Sequence, residues 1–262
     1  MTVAIATLFI TMFALPAGAQ STTYYYLIVA GVEVTSDNCN DLSVIDGVSG
    51  TVKYDHSTKT LTLDNATIDG GNEQAISSKS NMTIKPIGNN KVIANATTIS
   101  TNKPMTITGG GTLDVESTFD CAIYVASTDL TIENCTVNAK GVRYGIAGYN
   151  GNSGEDLIIH NATVTAEGNE VYSIGDFATL TLEGCAITQP AGAAFDASLH
   201  GVALDGEIVK TKVVIGPTGT GIDTPTANVP AKKQGTYNLA GQRVGDSYKG
   251  IVIENGRKVV KK

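Results

Sequence analysis

The sequence predicts an all-β solenoid: short strands stacked at a regular interval, with a small β element at each end. Three observations carry that expectation. Four octets nearly repeat one another, LTLDNATI from Leu61, LTIENCTV from Leu130, LIIHNATV from Leu157 and LTLEGCAI from Leu180. Within each, apolar residues alternate, which is the two-residue period of a strand and not the longer period of a helix. Two apolar columns also advance together, Leu61, Met82, Met105, Leu130, Leu157, Leu180 and Ile76, Ile99, Ile123, Ile146, Ile174, Phe195, in steps of 21 to 28 residues. A repeat of that size marks a solenoid, in which each turn buries its apolar face only against its neighbours.

From the N-terminus onward, the pieces can be justified in order. Residues 1–19 carry an apolar run, Val3 to Leu15, too short for an ordinary span, followed by the small-x-small site Ala17-Gly18-Ala19. That is the pattern of a secretory signal, with cleavage expected after Ala19. No later segment has the length and apolarity of a transmembrane helix. Residues 20–56 hold short strand patterns outside the repeat register. They predict an N-terminal β cap, entered by a hairpin that joins GTVKYD to TLTLDN across His56–Lys59. A cap is needed because a bare solenoid end exposes strand edges and core. Residues 57–216 are the solenoid. Residues 217–234, rich in Gly, Thr and Pro, read as a linker. Residues 235–262 alternate around Asn255-Gly256, a hairpin signal, and predict a small C-terminal β tail.

Charge follows the same division. The chain has a net charge of −7. Residues 61–216 carry 17 acidic side chains against 8 basic, and residues 217–262 carry 3 against 8. An acidic body lacks the basic footprint of a nucleic-acid surface.

The repeated slots have structural reasons. In LTIENCTV, Leu130, Ile132, Cys135 and Val137 point inward, so the chain must bend at Asn134. Asn65, Asn161 and Gly184 hold the same slot, and these residue types tolerate the left-handed backbone of a corner. The N-x-Thr glycosylation pattern at Asn65, Asn134 and Asn161 is therefore explained without a glycan. Cys135 and Cys185 share an inward column with Ala66 and Ala162, where only a small side chain fits. Two turns separate the cysteines, about 9.6 Å by strand spacing, beyond the roughly 7 Å that a disulfide allows. All four cysteines are expected to be free thiols.

This strand pattern resembles the parallel β-helix family, which includes pectate lyases and polygalacturonases, over residues 57–215. The resemblance implies a parallel β-helix, and crossover chirality makes it right-handed. The tail, Tyr237-Asn-Leu-Ala-Gly241-Gln-Arg-Val244, Lys249-Gly-Ile-Val-Ile253 and Gly256-Arg-Lys-Val-Val-Lys-Lys262, resembles the end of C-terminal sorting domains on secreted Bacteroidetes proteins. That implies delivery to the cell surface or medium by an export machinery.

Enzymes of the β-helix family act on an outward strand face. Their lyases use calcium-binding carboxylates with an Arg or Lys base, and their hydrolases use paired Asp with His and Arg. Here Arg143 is the solenoid's lone arginine, and Asp-Asp, Gly-His-Gly and Arg-x-Lys are absent. Glu133, His160 and Glu183 on successive turns offer a weak acid/base or cation site as one reading, and the favoured one is a solvated face where His bridges two carboxylates. A Thr column, Thr62, Thr83, Thr106, Thr131 and Thr181, suits exposed strand positions. The feature-rich surface is the insertion Tyr149–Asp156, since insertions in a solenoid become loops on one face. Tyr124, Arg143, Tyr149, Asn150, Asn152, Glu155 and Asp156 are the candidate ligand-binding residues. Rings that stack beside amides and carboxylates suit a polysaccharide or other glycan. Calcium held by the acidic loop oxygens is the alternative ligand. The expected function is glycan binding without cleavage. The alternatives are a polysaccharide lyase or glycoside hydrolase, and a structural or adhesive surface protein.

Overall fold

The computed structural model describes residues 21–218, 236–245, 247–254 and 257–261, which fall into two units, one ending at Thr218 and one beyond it. The expected signal segment, most of the linker and the Asn255-Gly256 turn lie outside the described residues.

The first unit is a β-solenoid of about five turns. Each turn has three faces. On the first face the N-terminal half of Thr60–Asp69 is followed by Met82–Ile87, Met105–Thr108, Leu130–Glu133, Asp156–His160 and Thr179–Glu183, all parallel. The second face stacks the other half of Thr60–Asp69 with Asn89–Ala94, Thr112–Ser117, Thr136–Gly141 and Thr163–Gly168. The third stacks Ile76–Ser78, Ile99–Thr101, Cys121–Val125, Tyr144–Ala147 and Tyr172–Gly175. Inward side chains from the three faces form one continuous core, with Leu61, Ile84, Ile107, Ile132 and Ile159 fully buried along the first.

The corner between the first two faces is where the repeated Asn slot predicts it. Backbone φ is 46° at Asn65, 51° at Asn134, 46° at Asn161 and 65° at Gly184. Gly88, at 64°, and Gly110, at 79°, turn the two corners between. A Cβ on Gly184 would overlap Asn161 Oδ1, and one on Gly88 would overlap Asn65 Oδ1. Gly88 and Gly184 are therefore required where each follows an Asn in the stack, because the Asn amide fills the space a Cβ would need.

Two alignments made from the sequence need correction. Leu61 pairs with Ile84 and not with Met82. The first octet thus sits two residues out of line with the other three, Thr60 and not Thr62 stands beside Thr83, and Ala66 leaves the column of Cys135 and Ala162. A shift of two keeps every apolar residue on the same side of a pleated strand, so alternation alone cannot detect it. The misfit is absorbed by Asn90, a buried side chain that accepts from Ala66 N (2.9 Å) and donates to Ile87 O (3.0 Å) and Thr112 O (3.1 Å).

Phe195 likewise does not continue the stack of Ile76, Ile99, Ile123, Ile146 and Ile174. Gly201–Leu204 comes between, antiparallel to Tyr172–Gly175, and Phe195 pairs with Val202. On the second face Val213–Pro217 inserts antiparallel between Thr163–Gly168 and Cys185–Gln189. Its last residues therefore belong to the solenoid, and Thr218 N still donates to Gly184 O at 3.0 Å. At the other end Tyr24–Val29 lies antiparallel on Ile76–Ser78, and Val48–Asp55 on Thr60–Asp69, joined by the turn across His56–Lys59. Strands of reversed direction thus close the N-terminal end and, on the second and third faces, the C-terminal end, while Thr179–Glu183 is the edge of the first face.

All four cysteines are buried and free. Cys135 and Cys185 donate their thiols to the carbonyls of Ile107 (3.5 Å) and Ile159 (3.2 Å). The second unit is a three-stranded antiparallel sheet of Tyr237–Asn238, Gly250–Glu254 and Arg257–Lys261.

Candidate functional site

The outward side of the third face carries a notch. In Cys121–Val125 the side chains of Cys121, Ile123 and Val125 are buried, which leaves Tyr124 facing out. The residues that stack next to Tyr124 are small, Ala147 and then Gly175. The missing volume becomes a pocket of about 240 Å³, lined by Thr97, Asp120, Tyr124, Arg143, Tyr144, Tyr149 and Asp176 among others. Tyr149, 58% exposed, stands at its rim, where the loop leaves the fourth turn.

Three of the residues expected at the site meet here: Tyr124, Arg143 and Tyr149. The others do not line the pocket, and each has other company. Asn150 Oδ1 accepts from Asn152 N (2.8 Å) and Ser153 Oγ (3.3 Å), while Asn152 Nδ2 donates to Asn150 O (3.0 Å). These two amides shape their own loop. Glu155 is wholly buried, its Oε2 accepting from Ser153 N at 3.1 Å and its Oε1 without a partner. Asp156 opens a first-face strand and accepts from Thr179 Oγ1 at 2.7 Å. Glu155 and Asp156 therefore diverge and offer calcium no shared set of oxygens. Among the described residues, no three His, Cys, Asp or Glu side chains gather as a metal cluster.

Sequence reading missed Thr97, Asp120, Tyr144 and Asp176. Each comes from a different strand junction, so only the stacking brings them together. Asp120 is fully engaged: Thr97 Oγ1 donates to it at 2.7 Å and Arg143 Nη1 lies 3.5 Å away. The Arg143 guanidinium also sits 5.4 Å from the centre of the Tyr144 ring, a cation–π distance. Tyr144 packs against Tyr172 of the next turn, with ring centres 5.6 Å apart.

Asp176 is different. Its φ of 60° places a non-glycine residue in the left-handed region. Its carboxylate accepts no hydrogen bond and forms no ion pair among the described residues. Partial burial, then the charge of Glu155, pushes its pKa above the usual carboxylate range, against an opposing pull from His200. Burial and the nearby acidic charge likewise raise the phenols of Tyr124 and Tyr144, which stay protonated and able to donate. The thiol of Cys121 is pushed far up by burial first and Asp120 second, so it is no nucleophile.

A larger groove of about 970 Å³ lies where the N-terminal hairpin stands off the first face. Thr60, Thr62, Thr83 and Thr108 contribute hydroxyls, with Lys53 and Lys85 beside them. Its rings are largely spent on one another, Tyr25 stacking on His56 at 4.2 Å with Tyr54 at 5.6 Å from Tyr25. Its carboxylate, Asp55, is held by Ser57 N (2.8 Å) and Ser57 Oγ (2.7 Å). The smaller pocket is the stronger candidate, because it joins an exposed tyrosine ring to an unengaged carboxylate, whereas the groove's carboxylate is held. On the first face, His160 Nδ1 lies 3.8 Å from Glu133 Oε2, with Glu183 on the next strand, all partly exposed to solvent.

No family model, curated protein or solved structure matches this chain. No helix among the described residues is long and apolar enough to cross a membrane.

Proposed function

We propose that this β-solenoid binds glycan at the third-face pocket and does not cleave it. The observation that carries the reading is the exposed ring of Tyr149 beside the half-buried Tyr124 and Tyr144, around a pocket edged by carboxylates and phenols. A sugar's apolar face stacks on such rings while its hydroxyls bond to the rim. Cleavage by glycosidase chemistry uses two carboxyl groups that flank the scissile bond. Asp120 is tied to Thr97 and Arg143, which leaves Asp176 as the pocket's one unengaged carboxylate. We read the chain as exported, from Val3–Leu15 with Ala17-Gly18-Ala19 and from the sorting-like tail. Fractionation of the source cells should then find it outside the cytoplasm.

A glycan array followed by isothermal titration tests the binding. Tyr149→Ala should weaken the selected glycan by about 1–3 kcal/mol, as the loss of an interface anchor does. Unchanged affinity would move the site elsewhere. Release of shortened products would overturn the non-catalytic part.

A further inference from the structure

We infer that the glycan taken at this pocket carries a protonated amine, so that its class is an amino sugar. This rests on the glycan reading above and adds a charge to it.

The argument starts from the charges that the protein leaves unmet. The pocket's only cationic side chain, Arg143, is directed to Asp120 and the Tyr144 ring. It does not neutralise Asp176, whose electrostatic neighbours are Glu155 and His200. Beneath the floor, Glu155 passes under Gly148, where an added Cβ would lie 3.4 Å from Glu155 Cβ. That side chain is fully buried and one of its oxygens has no partner. His200 cannot reach out to the rim, because the loop backbone at Gly151 lies directly on its ring and its Nδ1 is buried without a partner. The pocket therefore presents a carboxylate, Asp176, that no described side chain pairs, with only the ring of His200 opposing its charge from behind.

Around this charge stand Tyr124 and Tyr149, whose ring faces are electron-rich, while the Tyr144 ring is already taken by Arg143 and Tyr172. Rings beside a carboxylate form the kind of cage that selects an ammonium group. A neutral sugar could offer Asp176 a hydroxyl but no opposite charge. A carboxylated or sulfated sugar would be repelled. An ammonium satisfies the carboxylate and the rings together. The left-handed backbone of Asp176 fits this role, since strain of that kind is held where a side chain must be aimed.

The test uses the full chain and two tetrasaccharides with the same backbone, the β-1,4 tetramer of glucosamine and its N-acetylated form, in which each amine becomes a neutral amide. Titrations at about pH 6 keep the amine largely protonated. The amine tetramer should bind at least about tenfold more tightly than the acetylated one, in keeping with a desolvated cation–π site. Asp176→Asn should bring the two to equal affinity, and Asn suits the left-handed backbone, so the variant should fold. Tyr149→Ala should weaken both tetramers. Equal binding of the two by the unmodified chain, with both weakened by Tyr149→Ala, would overturn the amine and leave the glycan reading standing. Binding of tetramethylammonium that depends on Asp176, with neither sugar bound, would support the cation cage and sink the glycan. Absence of all three would overturn both.

Discussion

At the corner between the first and second faces, Asn134 and Asn161 adopt left-handed backbone, and their N–H groups donate across the stack to His160 O (3.1 Å) and Glu183 O (2.9 Å). At the exit of the third face Asp176 and His200 also adopt left-handed backbone, with φ of 60° and 52°. There the side chains go unmet: Asp176 accepts nothing, and Nδ1 of His200 and Oε1 of Glu155 are buried without partners. Unusual backbone alone does not separate a corner from a site. What separates them is whether the polar groups are satisfied, because an unpaired buried group is costly and persists only where something else holds it.

That contrast can be tested from its strongest consequence down. Asn90→Ala removes three hydrogen bonds from the satisfied corner and strands their partners, so urea denaturation should show a loss of about 2–4 kcal/mol. A loss under about 0.5 kcal/mol, the ordinary range for a surface change, would break the claim that this corner is structural. Cys135→Leu overpacks the small inward slot next to it and should cost about 1–3 kcal/mol, whereas Cys135→Ala should be tolerated. Titration of the denatured, unreduced protein should find four free thiols.

At the unsatisfied end the sign reverses. The folded-state pKa of Asp176 is raised above its ordinary 3.8. The folded protein then holds a proton that the unfolded chain releases, so this group costs stability as pH rises through that window. Asp176→Asn should therefore raise the melting temperature at neutral pH, with the gain vanishing below about pH 4, near the ordinary aspartate value. A drop at neutral pH would mean that Asp176 has a structural partner after all. The smallest effect is expected for Tyr149→Ala, whose exposed ring should change stability by no more than about 0.5 kcal/mol.

Much of the architecture was legible because alternation and period are local signals. The Asn slot predicted each bend from residue type alone, at Asn65, Asn134, Asn161 and Gly184. Alternation could not reveal the two-residue shift at Leu61, since parity is blind to it, nor Asn90, a lone polar residue whose role exists only between stacked turns. The strands after Cys185 were misaligned because Phe195 continues the spacing, while the reversed strand Gly201–Leu204, later in the chain, inserts between it and Tyr172–Gly175. Of the site, Tyr124, Arg143 and Tyr149 were legible from ring and charge type near an insertion. Asp120, Tyr144 and Asp176 were not, because they become neighbours only through the register of the third face. The burial of Glu155 was equally hidden, since a loop carboxylate in sequence reads as solvated.

The inserted strand Val213–Pro217 also sets an order of events. Cys185–Gln189 reaches Thr163–Gly168 only through it, although it is made about two dozen residues later. During synthesis the early turns can stack as they emerge, each on the one before. The last turn must wait, with the edge of Thr163–Gly168 open, until residue 217 has left the ribosome. Contacts that close across long sequence separation form late, and an open edge is where chains pair wrongly. A nascent chain stopped short of Val213 should therefore be soluble only with a chaperone, and one stopped just past Thr218 should be complete.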